Sequence, residues 1–211
     1  MQENVVKALE WRYAVQSFDP LKRVSESDLK VILESGRLAP SSYGLEPWKF
    51  IVVENSEVRR RIRAASYDQS KVTEASHLIV VARRTDVREN IVHERIARTA
   101  EIQQQDPKSL AGFKEMLDGV IASRDDAALD AWVSRQVYIA LGMMMEAASL
   151  LGIDNAAMEG FDPRGVDAAL GLAEKNLTAT VMLSIGYRGI DPAATRQKVR
   201  RDFGTVVEFL R

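Results

Sequence analysis

The stretch WVSRQVYIALGMMMEAASLL, from Trp132 to Leu151, carries only two charges, Arg135 and Glu146. Length and composition predict a helix over Ala131 to Leu151, and a helix apolar on nearly every side must be buried on nearly every side. A membrane span needs about 20 predominantly apolar residues, and here the two charges interrupt too short a run. One subunit of a 211-residue chain seldom wraps so long a helix by itself. The pattern therefore predicts a helix at the centre of an obligate homodimer, with Met143 to Met145 as adaptable core filler.

Toward the C-terminus, Ile153 to Met158 reads as a strand. Asp162-Pro163 opens a helix, because aspartate caps and proline fits the first turn. Thr178 to Tyr187 is the longest strand-like run. The tail Thr205 to Leu210 is also strand-like and predicts a sheet to pair with, on the partner subunit if not on its own. Toward the N-terminus, Gln2 to Trp11 places Val5, Val6, Ala8 and Leu9 on one helical face. Ser25-x-x-Asp28 is a capping box opening a helix through Leu38, with Leu29, Ile32 and Leu33 pointing inward. Ala39 to Gly44 breaks that helix. Lys49 to Glu54 and His77 to Arg83 are β-branched strands, separated by a basic helix from Glu57 to Ala65 and a loop from Tyr67 to Lys71. Asp86 to Ala122 reads as an exposed helical excursion, split by Pro107, from a single domain over residues 1–211.

Composition narrows the chemistry. Lys and Arg number 29 against 30 Asp and Glu, so no global field recruits nucleic acid or an anionic membrane. The absence of cysteine removes disulfides, thiolate nucleophiles, iron–sulfur clusters and cysteine-bound zinc. Two histidines, His77 and His93, are too few for a histidine-rich metal site and read as structural. The basic run Arg59 to Arg63 reads as a solvated helix face. MQENVVKALEWRY lacks an apolar signal core, which predicts a cytoplasmic protein.

Neither common phosphate-binding glycine loop is present, nor a Gly-x-Ser-x-Gly elbow. Polar residues instead gather at the edges of apolar elements: Arg12, Ser41-Ser42, Lys71, Glu159-Gly160 and Lys198-Val199-Arg200. In an extended segment residues two apart face the same way, so Lys198 and Arg200 can grip one anion together. Scattered surface charge is the ordinary reading of such residues, and a phosphate-bearing ligand is the alternative.

These residues also carry a resemblance. WRYAVQSFDP, from Trp11 to Pro20, resembles the Arg-x-Ser/Ala-x-Lys-x-Phe opening of the nitroreductase family. APSSYGLEPWKF, from Ala39 to Phe50, is similar to that family's Ala-Pro-Ser-Ser-x-Asn-x-Gln-Pro-Trp-x-Phe block. The likeness continues, in order, through KVTEASH at Lys71 to His77, MEGFD at Met158 to Asp162, and Lys198 to Arg200.

The resemblance implies an α+β fold with a mostly antiparallel central sheet flanked by helices, in an intertwined homodimer with exchanged C-terminal segments. It further implies FMN at the dimer interface, NADPH or NADH as electron donor, and a nitroaromatic, quinone or similar small-molecule acceptor served by a ping-pong mechanism. By the same likeness, Arg12, Lys198 and Arg200 hold the FMN phosphate. Tyr13, Ala14, Ser41 and Ser42 line the ribityl chain and phosphate, the serines partly from across the dimer. Lys71 approaches the pyrimidine edge of the ring, near an asparagine-type contact matched here by Asp68 or Gln69. Ala157, Met158, Glu159 and Gly160 run along the ring with a backbone N–H near its reactive nitrogen. No side chain acts as nucleophile and no metal is implied, since the flavin carries the chemistry.

Three positions depart from the family pattern: Gln16 for lysine, Gly44 for asparagine and Glu46 for glutamine. Reduced flavin gains negative charge, so losing a lysine and gaining an acid predicts a bound FMN that is harder to reduce, with Lys71 offsetting part of this. Gly44 leaves room that alters which acceptor fits. Two other outcomes stay open: a flavoenzyme with a narrow substrate such as a pteridine or enone, and a protein that binds FMN without turnover.

Overall fold

The computed structural model describes residues 2–211, and of Gln2 the backbone only. Helix α1 (Gln2–Trp11) leads to α2 (Glu26–Arg37), whose N-cap Ser25 accepts from the Asp28 backbone N–H at 3.1 Å. Strand β1 (Trp48–Val53) is followed by α3 (Ser56–Ala64), the one-turn α4 (Lys71–Glu74) and β2 (His77–Arg84). Next come α5 (Val92–Gln103), α6 (Ala111–Ala122) and the 25-residue α7 (Asp126–Leu150). Strand β3 (Asp154–Met158), α8 (Pro163–Leu170), β4 (Leu177–Gly186) and the single turn α9 (Phe203–Val206) complete the chain. Asp162 caps α8 with Pro163 at its start, as its sequence predicts. No helix among the described residues is long and apolar enough to cross a membrane.

The four strands form one antiparallel sheet in the order β1-β2-β4-β3. Both faces are covered, which is why β2 reads as an unbroken apolar run instead of an alternation. Leu78, Val80 and Ala82 pack with Ile62, Val72 and Val166 on the α3/α8 side. Ile79 and Val81, one residue out of phase, pack with Ile32, Val137, Leu141 and Met144 on the α2/α7 side. The long helix is apolar all round because it has two neighbours along its length. Its second half lies on the sheet, and its first half, through Leu129, Trp132 and Val133, joins Val87, Ile91, Ile96, Leu117 and Ile121 in a third cluster. One chain thus buries much of α7 by itself and leaves Tyr138 and Ile139 exposed.

Three expectations need correction. The tail over Thr205 to Leu210 pairs with no strand of its own chain: Phe203–Val206 closes a helical turn and the remainder is irregular. Phe209 and Leu210 stand 68% and 91% exposed there. The excursion is two helices as predicted, yet it is not merely exposed, since it carries its own apolar cluster. The basic helix is not uniformly solvated either. Arg59 is only 5% exposed and spans three carbonyls, donating to Val72 O (2.7 Å), Ala75 O (2.6 Å) and Ser76 O (3.3 Å). It ties off the end of α4 as a fork that lysine could not reproduce. Burial, with the charge of Arg23 nearby, pulls its pKa down to about 10.

Candidate functional site

The site residues expected from the sequence fall into two sets on this chain. The first surrounds the segment after α1. Arg12, Tyr13 and Ala14 share a cleft of about 470 Å3 with Lys198 and Arg200, so the three cations do converge. Lys198 reaches the end of α1, donating to Leu9 O at 2.6 Å and to Arg12 O, where the helix dipole favours a cation. One of its three protons stays uncommitted. Arg12 Nε is buried without a hydrogen-bond partner. Burial and the neighbouring charge of Arg200 lower the Arg12 pKa, and burial with Arg12 and Arg200 lowers that of Lys198. Like charges held together in this way favour an anionic ligand that would relieve them.

The Arg12 segment is held in place by residues that the sequence does not reveal as functional. Asp191 accepts from the Gln16 N–H (2.8 Å), the Tyr13 hydroxyl (3.0 Å) and the Ala193 N–H (2.8 Å). Burial opposes the charge on Asp191, but these donors outweigh it and hold its pKa below the usual carboxylate value. Burial and the bond to Asp191 together push the Tyr13 hydroxyl up to about 12. Arg188 bonds the buried Asp154 through Nε (2.8 Å) and lies 4.5 Å from the Trp11 ring and 4.7 Å from the Tyr13 ring. The one available signal is Asp191-Pro192, which repeats the capping pattern of Asp162-Pro163.

From this anchor the set continues along β3. Val15 N bonds Asn155 O at 3.5 Å, and Ala14 pairs with Asn155 as an isolated parallel bridge. Ala157 is half-buried, Met158 is core, and Glu159 and Gly160 are exposed beyond the strand end. Gln69 donates to Gly160 O at 2.7 Å, and Glu159 accepts from the Tyr138 hydroxyl. Lys71 lies near Asp191, and burial lowers its pKa against that attraction. The Gln16 amide folds back onto Ala14 O at 2.8 Å.

Ser41, Ser42, Gly44 and Glu46 form the second set, in a loop bent by left-handed residues: Tyr43 (φ 56°), Gly44 (φ 65°) and Glu46 (φ 47°). Such backbone persists only where the surroundings over-determine it. Ser41 Oγ accepts from the Glu46 N–H at 2.8 Å, and Gln136, buried on α7, accepts from the Ser42 N–H at 2.8 Å. Gly44 and Glu46 line a separate cleft of about 520 Å3 with Arg84, Arg95 and Arg98. Sequence reading missed Gln136, whose only sign is an amide within an apolar helix.

A family model described as the nitroreductase family matches residues 9–187. The chain belongs to the nitroreductase family. A relative in Staphylococcus saprophyticus, provisionally named an NAD(P)H nitroreductase, is 36% identical over 218 residues, covering 100% of this chain and 98% of its own. Among solved structures, a Bacillus subtilis protein provisionally described as a nitroreductase superposes with TM-score 0.86 at 18% identity, covering 100% of both chains. Another, from Exiguobacterium sibiricum and solved in complex with FMN, gives TM-score 0.80 at 22% identity over 99% of this chain and 96% of its own. These likenesses show that the nitroreductase-like α+β fold expected from the sequence is the one present.

Proposed function

We propose that this nitroreductase-family chain is an FMN-dependent oxidoreductase that passes reducing equivalents from NADH or NADPH to nitroaromatic, quinone or similar small acceptors. The observation that carries this reading is the convergence of Arg12, Lys198 and Arg200 on one cleft with Arg12 Nε buried and unpartnered. A phosphate monoester fits such a donor set, because charge-assisted bonds to a doubly charged group offset the crowding of three cations. The FMN complex of the Exiguobacterium protein and the name of the staphylococcal relative point the same way.

Bound FMN would supply the chemistry of hydride and electron transfer. The chain's own residues bind and orient. Arg12, Lys198 and Arg200 hold the phosphate, and Tyr13 and Ala14 flank it from a segment fixed by Asp191. Lys71 and Gln69 present a cation and an amide beside Ala157 to Gly160, while Gln16 contributes a neutral amide at that end. Ser41, Ser42, Gly44 and Glu46 supply the opposite wall. Gly44 and Glu46 of this second set line a cleft separate from the Arg12 set, so the reading takes the second set from a partner copy, in a homodimer with the C-terminal segment reaching its partner. The exposed Phe203, Val206, Phe209 and Leu210 suit such a contact. One opening then serves donor and acceptor in turn, giving ping-pong kinetics, and the reading places the protein in the cytoplasm.

The test is to purify the protein, record its absorption spectrum and add NADH or NADPH without oxygen. A yellow protein that bleaches supports the reading. A colourless protein that does not take up FMN refutes it, and a yellow one that never bleaches reduces it to flavin binding.

A further inference from the structure

Arg95, seated on Gly44, is a cation that the flavin reading leaves unused. Arg95 lies on α5, one turn beyond Ile91, and its side chain crosses to the 41–46 loop. A Cβ placed on Gly44 would meet Arg95 Nη2 at 2.8 Å, Cζ at 2.9 Å and Nη1 at 3.2 Å, so the guanidinium lies flat on the glycine. Any side chain at position 44 would displace it. Gly44 also has φ +65°, where an L side chain is strained. The room left by the missing side chain is therefore filled by a cation from the helical excursion.

That cation lacks a counter-ion. Arg95 Nε is buried with no partner, and its guanidinium makes no hydrogen bond or ion pair among the described residues. Of the acids lining the same cleft, Glu94 is bound by Arg84, which also binds Asp86 (2.6 Å), while Glu46 and Glu101 form no ion pair with Arg95. The cleft it lines, about 520 Å3, opens beside Glu46 and Trp48 and is within the size range of small-molecule sites. A half-buried guanidinium with an unfilled fork matches the planar geometry of a carboxylate or phosphate.

We propose that Arg95 is a specificity-determining residue that receives an oxyanion on a molecule entering the site, with Gly44 as the seat that lets its guanidinium lie there. This inference rests on the flavin reading, which puts Gly44 and Glu46 in the wall of the site. The oxyanion belongs either to an acceptor bearing a carboxylate or to the extra phosphate that distinguishes NADPH from NADH.

The experiment titrates FMN-loaded protein calorimetrically with two matched pairs: benzoate against benzamide, and NADP+ against NAD+. Wild type is expected to prefer the anion-bearing member of one pair by about ten-fold or more, the size of one charge-assisted hydrogen bond. Arg95→Gln should abolish that preference, and Arg95→Lys should retain part of it. Preference in the first pair assigns the acceptor, and in the second the dinucleotide. No preference in either pair, or a preference that survives Arg95→Gln, overturns the proposal. FMN uptake by wild type is measured first, so that a failure of the flavin reading is seen separately.

Discussion

Asp191→Asn is the sharpest perturbation of the scaffold behind the Arg12 segment. Asp191 is 8% exposed, and its carboxylate accepts three hydrogen bonds, two of them tying Gln16 and Tyr13 to the chain near its C-terminus. Asparagine has the same shape but one acceptor oxygen. If that oxygen keeps Gln16 and Tyr13, the new amide NH2 faces the Ala193 N–H, donor against donor. Two bonds fall from charged to neutral strength and one is lost. At about 1.5–3 kcal/mol for a bond to a charged group and about 1 for a neutral one, the net cost is about 2.5–7 kcal/mol. A typical domain has about 5–15 kcal/mol in total, so a urea titration should show the midpoint fall with the slope unchanged. The sign with pH follows from the depressed carboxyl. Asp191 is held below its reference value of 3.8, so its contribution is complete above that value and is lost as pH falls through the lower folded value. The stability gap between wild type and variant should therefore close in acid. The tyrosinate titration of Tyr13 should also move down from about 12. A stability change below about 0.5 kcal/mol, the level of an ordinary surface substitution, would refute the assignment of Asp191 as the anchor.

Arg12→Ala should weaken FMN binding roughly ten- to a hundred-fold in a fluorescence titration, while leaving the unloaded protein as stable or more so, since it removes one of three crowded cations. A loss of unloaded stability would show that Arg12 is structural instead. Gln16→Lys should raise the midpoint potential of bound FMN in a spectroelectrochemical titration, and an unchanged potential means Gln16 does not approach the ring. Arg59→Met should cost on the order of 3 kcal/mol by leaving three carbonyls unpaired, with Arg59→Lys recovering only part, both read from denaturation midpoints. Deleting residues 203–211 should convert the proposed dimer to monomer by light scattering while leaving the far-ultraviolet circular dichroism nearly intact, and an unchanged mass would remove the tail from the interface.

Local chemistry made much of this molecule legible. Ser25 and Asp162 announce helix starts because a cap is a property of four consecutive residues. Strands β2 and β4 announce themselves because both faces of the sheet are covered. Helix α7 begins at Asp126, ahead of the predicted Ala131, because its first turns carry Asp126 and Asp130 and its cap, Asp125, precedes them. Within its own chain the tail holds a helical turn instead of a strand, because a β-branched run specifies a strand only where an edge is available to pair with it. Residue type and motif order single out Arg12, Lys198 and Arg200, which the fold brings to one cleft. Asp191, Arg188, Gln136 and Arg95 are not singled out: each acts on a segment about 50 to 180 positions away, across packing that no local window contains.

Placing the Arg12 set in one cleft and the Gly44–Glu46 end of the Ser41 loop in another, on one polypeptide, makes complementation possible. Under the proposed pairing of two copies, a chain crippled at Arg12 and a chain crippled at Ser42 are each inert alone. Mixed together, they assemble one doubly damaged pocket and one wholly sound pocket. Two inactive alleles expressed in the same cell would then restore up to half of normal turnover per mixed pair, and a single defective allele would poison only the pockets it helps to build.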